Sequence, residues 1–166
     1  MKELHIRNAE IHDASGVLAM QRDLADYCKF PMQEFGVTES RLKAMISAEE
    51  ANTYVYVAEA AQGLVGFAIA NVLATNWRGV RPVYVEDLYA RPDFRGYGIG
   101  KRLLGRCAEL AISVAGGDSY RAQLRLDTDR ENNDKTLNFY ASLNMTDDEI
   151  NLRLSGTDLS NLTDNL

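Results

Sequence analysis

No stretch of this 166-residue chain approaches the ~20 consecutive apolar residues that a membrane-spanning helix needs, so no helical span is expected. The opening residues, Met1-Lys2-Glu3-Leu4-His5-Ile6-Arg7, hold neither an apolar stretch nor a small-residue cleavage site. A secretory signal is therefore not expected, and a cytoplasmic location is. Only two cysteines are present, too few for a disulfide framework. Cys28 falls on a predicted helix face and Cys107 on the buried stripe of another, so both are expected to be small core residues. There is no internal repeat, low-complexity segment or linker, so residues 1–166 are expected to form a single domain able to bury roughly two thirds of its unfolded surface. A broad basic face is also missing: the net charge is −6, which argues against nucleic acid as a partner.

The charge that is there is unevenly placed. Residues 91–106 contain Arg91, Arg95, Lys101, Arg102 and Arg106 against Asp93 alone, a local +4 that leaves −10 on the remainder. Such a spot suits a small polyanion. Within it lies Arg95-Gly96-Tyr97-Gly98-Ile99-Gly100-Lys101, where a strand of β-branched and aromatic residues, Val83–Ala90, hands over to a helix. The apolar positions 99, 103, 104, 107, 108, 111 and 114 follow a helical period. The glycines therefore sit at a helix N-terminus, where unpartnered N–H groups and the helix dipole favour a phosphate. A dinucleotide fingerprint would need glycine at the sixth position from Gly96, which is Lys101. A nucleotide P-loop would need glycine five before Gly100 and Ser or Thr after Lys101, and the chain has Arg95 and Arg102. The plain alternative is a glycine-rich turn without a ligand.

Elsewhere the spacing predicts a strand at 4–6 and a helix from Asp13, its plausible cap, to Tyr27, whose apolar face is broken by Gln21. A second helix from Thr38 to about Ala48 is predicted next. Strands at 54–58 and 64–73 join by a hairpin at Ala61-Gln62-Gly63. Gly116-Gly117-Asp118 ends the long helix, Ala122–Asp127 alternates as a strand, and Asn133–Leu143 reads as a helix. A last strand is predicted at 150–154, and the tail from 155 stays unassigned. This order makes a mixed α/β fold, with an antiparallel first half and strand-helix-strand-helix after it.

Arg95, Gly98 and Gly100 fill an Arg-x-x-Gly-x-Gly pattern that resembles the acyl-CoA pyrophosphate motif of the GNAT superfamily of N-acetyltransferases. Asn133-Asp134-Lys135-Thr136-Leu137-Asn138-Phe139-Tyr140 resembles that family's later Asn-x-x-Ala-x-x-Phe-Tyr helix. Thr136 stands there for the small residue, and Asn144-Met145 for the Gly-Phe pair that follows. The resemblance implies a single-domain α/β fold, its sheet mostly antiparallel, flanked by helices and splayed at a central strand pair. It further implies acetyl-CoA as co-substrate, no metal, and a homodimer. Residues Leu88, Tyr89, Ala90, Arg95, Gly96, Tyr97, Gly98, Ile99, Gly100, Lys101 and Asn133 would contact the cofactor, and Tyr140 would protonate the departing thiolate. Simple packing of Tyr140 against the sheet is the alternative.

Val-Glu-Asp-Leu-Tyr followed by Gly-Tyr-Gly-Ile-Gly resembles most the diamine (spermidine/spermine) acetyltransferase branch, which implies Glu86 as the base. Alternation puts Glu86 and Asp87 on opposite faces, so at most one points at an acceptor. The alternative for Glu86 is a rim carboxylate paired with an arginine such as Arg81. Trp77 offers an aromatic wall for an alkylammonium, and Asp87 a second carboxylate. Arg78 and Arg81 add positive charge against that reading. The expected acceptor is a primary amine of a small molecule: a diamine, a polyamine or a lysine-like compound. The alternatives are an amino-acid or peptide N-terminus, or a non-catalytic acyl-CoA-binding module.

Overall fold

The computed structural model describes residues 4–47, 52–128 and 134–146. It divides into two compact units, 1–126 and 127–166. In the first, β1 (His5–Asn8), β2 (Thr53–Ala60), β3 (Gly63–Val72), β4 (Val83–Ala90) and β5 (Leu124–Leu126) make one sheet in sequence order. Every pairing is antiparallel except β4–β5, which is parallel. The strands carry β-branched and aromatic residues in alternation, and the β2–β3 hairpin turns at Ala61-Gln62 with Gly63 at φ +101°.

One face of the sheet is covered by α1 (Ala14–Tyr27) and α2 (Glu39–Ile46). Ala14, Val17, Met20 and Leu42 pack there on Val55, Val57, Phe67, Ile69 and Tyr89. Thr38 caps α2 by accepting the Arg41 amide at 3.3 Å. Asp13 does not cap α1. Its carboxylate turns back to accept the Glu10 amide at 2.7 Å and two bonds from Arg7, at 2.6 and 3.0 Å. Burial pushes the Asp13 carboxyl up, but the Arg7 guanidinium and the Glu10 amide hold it below the usual carboxylate range.

Helix α3 (Ile99–Val114) covers the other face through Ile99, Leu103, Leu104, Cys107 and Ala111. It can approach closely because β3 carries Gly66: a Cβ there would lie 2.7 Å from the Tyr89 carbonyl oxygen and 2.9 Å from Ile99 Cγ2. The helix ends where Gly116 and Gly117 take φ of +74° and +85°.

Besides the Asp13 cap, two expectations need correction. Cys28 is exposed, because α1 stops at Tyr27 and Lys29 reverses the chain at φ +56°; Cys107 is buried as expected. The strand expected over 122–127 is only Leu124–Leu126, since the Ala122 amide is still turned back to the Asp118 carbonyl. In the second unit α4 covers Asp134–Ala141, and Asn144 follows it at φ +59°, the left-handed conformation expected of a residue replacing glycine there. Asn133, the strand expected at 150–154 and the tail lie outside the described residues.

Candidate functional site

The glycine turn is built as the sequence indicates. Pro92–Phe94 forms a short 3-10 turn, the chain passes Gly96 at φ +83° and Gly98 at φ +76°, and α3 begins at Ile99. Left-handed backbone at both positions is open only to glycine without strain. A Cβ at either would meet nothing within 4 Å, so the turn presents bare, open backbone. Gly98 is the N-cap residue and makes no side-chain cap bond; the first intrahelical bond runs from the Arg102 amide to the Gly98 carbonyl. The amides of Ile99, Gly100 and Lys101 precede it, as free donors do at a helix start. Ile99 is buried and anchors the turn against Gly66, whereas Gly96, Tyr97, Gly98 and Lys101 are exposed and Gly100 is half-buried. The fit to a pyrophosphate is a fit of backbone donors, with room for the anion.

Around the turn the basic residues divide. Arg95 donates from Nε to the Ala90 carbonyl at 3.2 Å, and its guanidinium lies 4.9 Å from the ring centre of Tyr27 on α1. Arg106 is paired with Glu109 and stacks on Tyr56, so it belongs to the helix surface rather than to the anion site. Lys101 and Arg102 are exposed and form no ion pair among the described residues.

Strand β4 leads into this turn, and only its first half is covered on the β5 side. Pairing runs Val83–Leu124, Tyr84–Arg125 and Val85–Leu126, then stops. Among the described residues no strand pairs with Glu86 to Ala90 on that side. The Arg91 amide donates to the Val65 carbonyl at 2.9 Å, and bonded pairs alternate along an antiparallel ladder, so the amides of Leu88 and Ala90 face away from β3.

The two carboxylates sit at a bulge. Ile69 pairs with Asp87 while the next residue, Ala70, pairs with Val85, so Glu86 is the extra residue of β4. Glu86 is exposed. Asp87 falls opposite Ile69 and turns toward α1, where it accepts a hydrogen bond from Gln21 Nε2 at 2.7 Å. Burial pushes the Asp87 carboxyl above its usual range, and the Gln21 bond pulls part of that back. Gln21 was legible only as a polar residue interrupting an apolar helix face; in the fold it is the partner of Asp87.

Trp77 lies in the loop between β3 and β4, 92% exposed, with the Arg78 guanidinium 5.8 Å from its ring centre. Asn76 holds that loop through the Arg78 and Val80 amides and Gln123. Arg81 donates to Asn52 at 2.6 Å and to the Leu73 carbonyl at 3.2 Å. In the second unit Tyr140 is half-buried, its ring 5.2 Å from that of Phe139, and burial pushes its hydroxyl above the usual tyrosine value. Its carbonyl accepts the Leu143 and Met145 amides, which closes the end of α4.

The chain is similar to known proteins in sequence and in fold. A thialysine N-epsilon-acetyltransferase of Sus scrofa is 32% identical over 155 residues, 89% of this chain and 86% of that protein. A spermidine/spermine N(1)-acetyltransferase-like protein 1 of Homo sapiens is 28% identical over 121 residues, 69% of this chain but 17% of that one. The crystal structure of a ribosomal-protein-alanine N-acetyltransferase from Brucella melitensis has the same fold, with a TM-score of 0.70 at 19% identity, covering 93% of this chain and all of that one. Residues 51–144, from before β2 to just past α4, match the acetyltransferase (GNAT) domain, and the chain belongs to that family of N-acetyltransferases.

Proposed function

We propose that this enzyme moves the acetyl group of acetyl-CoA to a primary amine of a small molecule, with diamines, polyamines and lysine-like compounds as the acceptor class. The observation that carries the reading is the second half of β4, which no described strand pairs on the β5 side. It runs from two carboxylates, Glu86 and Asp87, past amides that point away from β3, into an open turn at a helix N-terminus. The name of the Sus scrofa relative, which specifies the ε-nitrogen of thialysine, supports a lysine-like acceptor.

Acetyl-CoA, when bound, supplies an acetyl thioester. The Gly96–Lys101 backbone, with Arg95 and Tyr97 beside it, binds the pyrophosphate. Leu88, Tyr89 and Ala90 line the pantetheine path, and the Leu88 amide hydrogen-bonds the thioester carbonyl and orients it. Asn133 completes the cofactor contacts. A protonated amine cannot attack, so Glu86, at the exposed bulge, accepts its proton directly or through water. Asp87 and Trp77 receive positive charge on the acceptor. Tyr140, kept protonated by its raised pKa, holds the proton that the departing sulfur takes. The reading includes a cytoplasmic homodimer, whose mass in solution light scattering checks.

One assay tests the acceptor. Release of CoA thiol is measured with putrescine, spermidine, lysine and aspartate, and kcat/KM for the basic amines is expected to rise toward alkaline pH as the amine loses its proton. Glu86→Gln should lower that ratio without weakening acetyl-CoA binding. Preference for aspartate would mean that Arg78 and Arg81 define the site and that the diamine class is wrong.

A further inference from the structure

The polar side chain inside α1 has half of its amide in use. Gln21 Nε2 donates to Asp87 Oδ2 at 2.7 Å, while Oε1 of the same amide is buried and has no hydrogen-bond partner among the described residues. An unmade bond on a covered amide oxygen is destabilising, so a retained glutamine in an otherwise apolar stripe calls for a donor that completes it. The donated bond fixes the orientation of the pair: with the nitrogen committed to the carboxylate, what remains around it is one carboxylate and one carbonyl oxygen, both acceptors. Two acceptors side by side at a partly buried position match a group with several N–H donors and a positive charge. Asp87 is itself half-buried, so part of it stays within reach of a solute.

We propose that Gln21 and Asp87 form a binding site for a second, non-reacting ammonium group of the acceptor, with Gln21 as the residue that positions Asp87 and adds the second acceptor oxygen. This rests on the amine reading given above and names the part of the substrate held at the α1 face. Glu86, one residue away but displaced into the bulge, is left for the reacting nitrogen. The division requires both carboxylates: the exposed one meets the amine that must lose its proton, and the enclosed one meets the amine that must keep it. A diamine gains from this site, and a monoamine of the same chain length does not.

The test compares putrescine with n-butylamine in the thiol-release assay, using full-length wild type, Gln21→Met and Gln21→Glu. Methionine keeps the length and removes both amide atoms. KM for putrescine is expected to rise about tenfold or more, as loss of hydrogen bonding to a charged group implies. KM for n-butylamine is expected to stay within about twofold, as are KM for acetyl-CoA and the melting shift it induces. Gln21→Glu loses the Nε2 donor and sets a second carboxylate beside Asp87, so it too is expected to shift the putrescine KM by about threefold or more while n-butylamine stays within about twofold; if the methionine variant does not fold, this one carries the test alone. Putrescine and n-butylamine moving together, or neither moving, overturns the role of Gln21 while leaving the amine reading intact. A wild type that turns over neither amine overturns both.

Discussion

Replacing Gly98 by valine separates the anion cradle from the stability of the fold. Gly98 sits at φ +76°, where a side chain costs roughly 1–2 kcal/mol and a β-branched one more. No atom lies within 4 Å of the added Cβ, so strain in the backbone is the whole internal penalty. For a domain of this size 1 kcal/mol corresponds to about 2–4 °C, and the unliganded variant should melt roughly 2–8 °C below wild type. The ligand effect is a separate quantity. Acetyl-CoA at ~100 times its Kd adds about 2.7 kcal/mol to a native state that binds it, which is about 5–11 °C here. Because the valine projects into the space through which an anion reaches the amides of Ile99, Gly100 and Lys101, most of that increment should vanish in the variant. Differential scanning fluorimetry with and without acetyl-CoA reads both numbers in one experiment. Gly105→Ala is the control: Gly105 lies inside α3 with nothing near its Cβ, so alanine should stabilise by roughly 0.5–1 kcal/mol and leave the acetyl-CoA increment unchanged. A Gly98→Val protein that keeps the full increment refutes the cradle.

Tyr140→Phe should retain acetyl-CoA binding while kcat falls by roughly 10²-fold, and steady-state kinetics on the purified variant check it; an unchanged kcat assigns the tyrosine to packing. Asp13→Asn should cost about 2 kcal/mol, below the usual figure for breaking a buried pair because Arg7 keeps its 2.9 Å bond to Glu59. Since the Asp13 carboxyl is held below its ordinary range, the stabilisation is complete above that range and disappears as pH falls through the lowered native value; the gap in melting temperature between wild type and variant should therefore narrow from pH 7 toward pH 3. A thiol reagent at pH 8 should label Cys28 quickly and Cys107 only after unfolding, because Cys28 is exposed and burial pushes the Cys107 thiol up to about 12; mass counting of the adducts decides it.

What could be read in advance was whatever depends on neighbours along the chain. β4 runs from Val83 to Ala90 and α3 starts at Ile99, both where the residue pattern places them, because β-branched alternation and a glycine cap are local signals. The exposure of Cys28 was hidden because a helix face says nothing about where the helix stops, and Lys29 ends it by a left-handed turn with no glycine to announce it. The direction of Asp87 was hidden for a different reason. Alternation assigns faces relative to one another, but an extra residue in the strand is visible only in its pairing with β3. Gln21 is the same case seen from the helix: a defect in a pattern becomes a contact only once the opposing strand is in place.

The bulge at Glu86 makes the residue count of β4 a matter of odd and even. Upstream, Val83 and Val85 stand opposite Val72 and Ala70; downstream, Asp87 and Tyr89 stand opposite Ile69 and Phe67, on the other side of the sheet. One supernumerary residue thus moves the odd-numbered side chains from the α3 side to the α1 side, while Leu88 and Ala90, opposite Ala68 and Gly66, take over the α3 side. Excising Glu86 would restore the parity of the strand. Val85 and Asp87 would then be neighbours, still opposite Ala70 and Ile69 and still on opposite faces, so register and buried contacts on both faces would be kept while the exposed carboxylate at the bulge was lost.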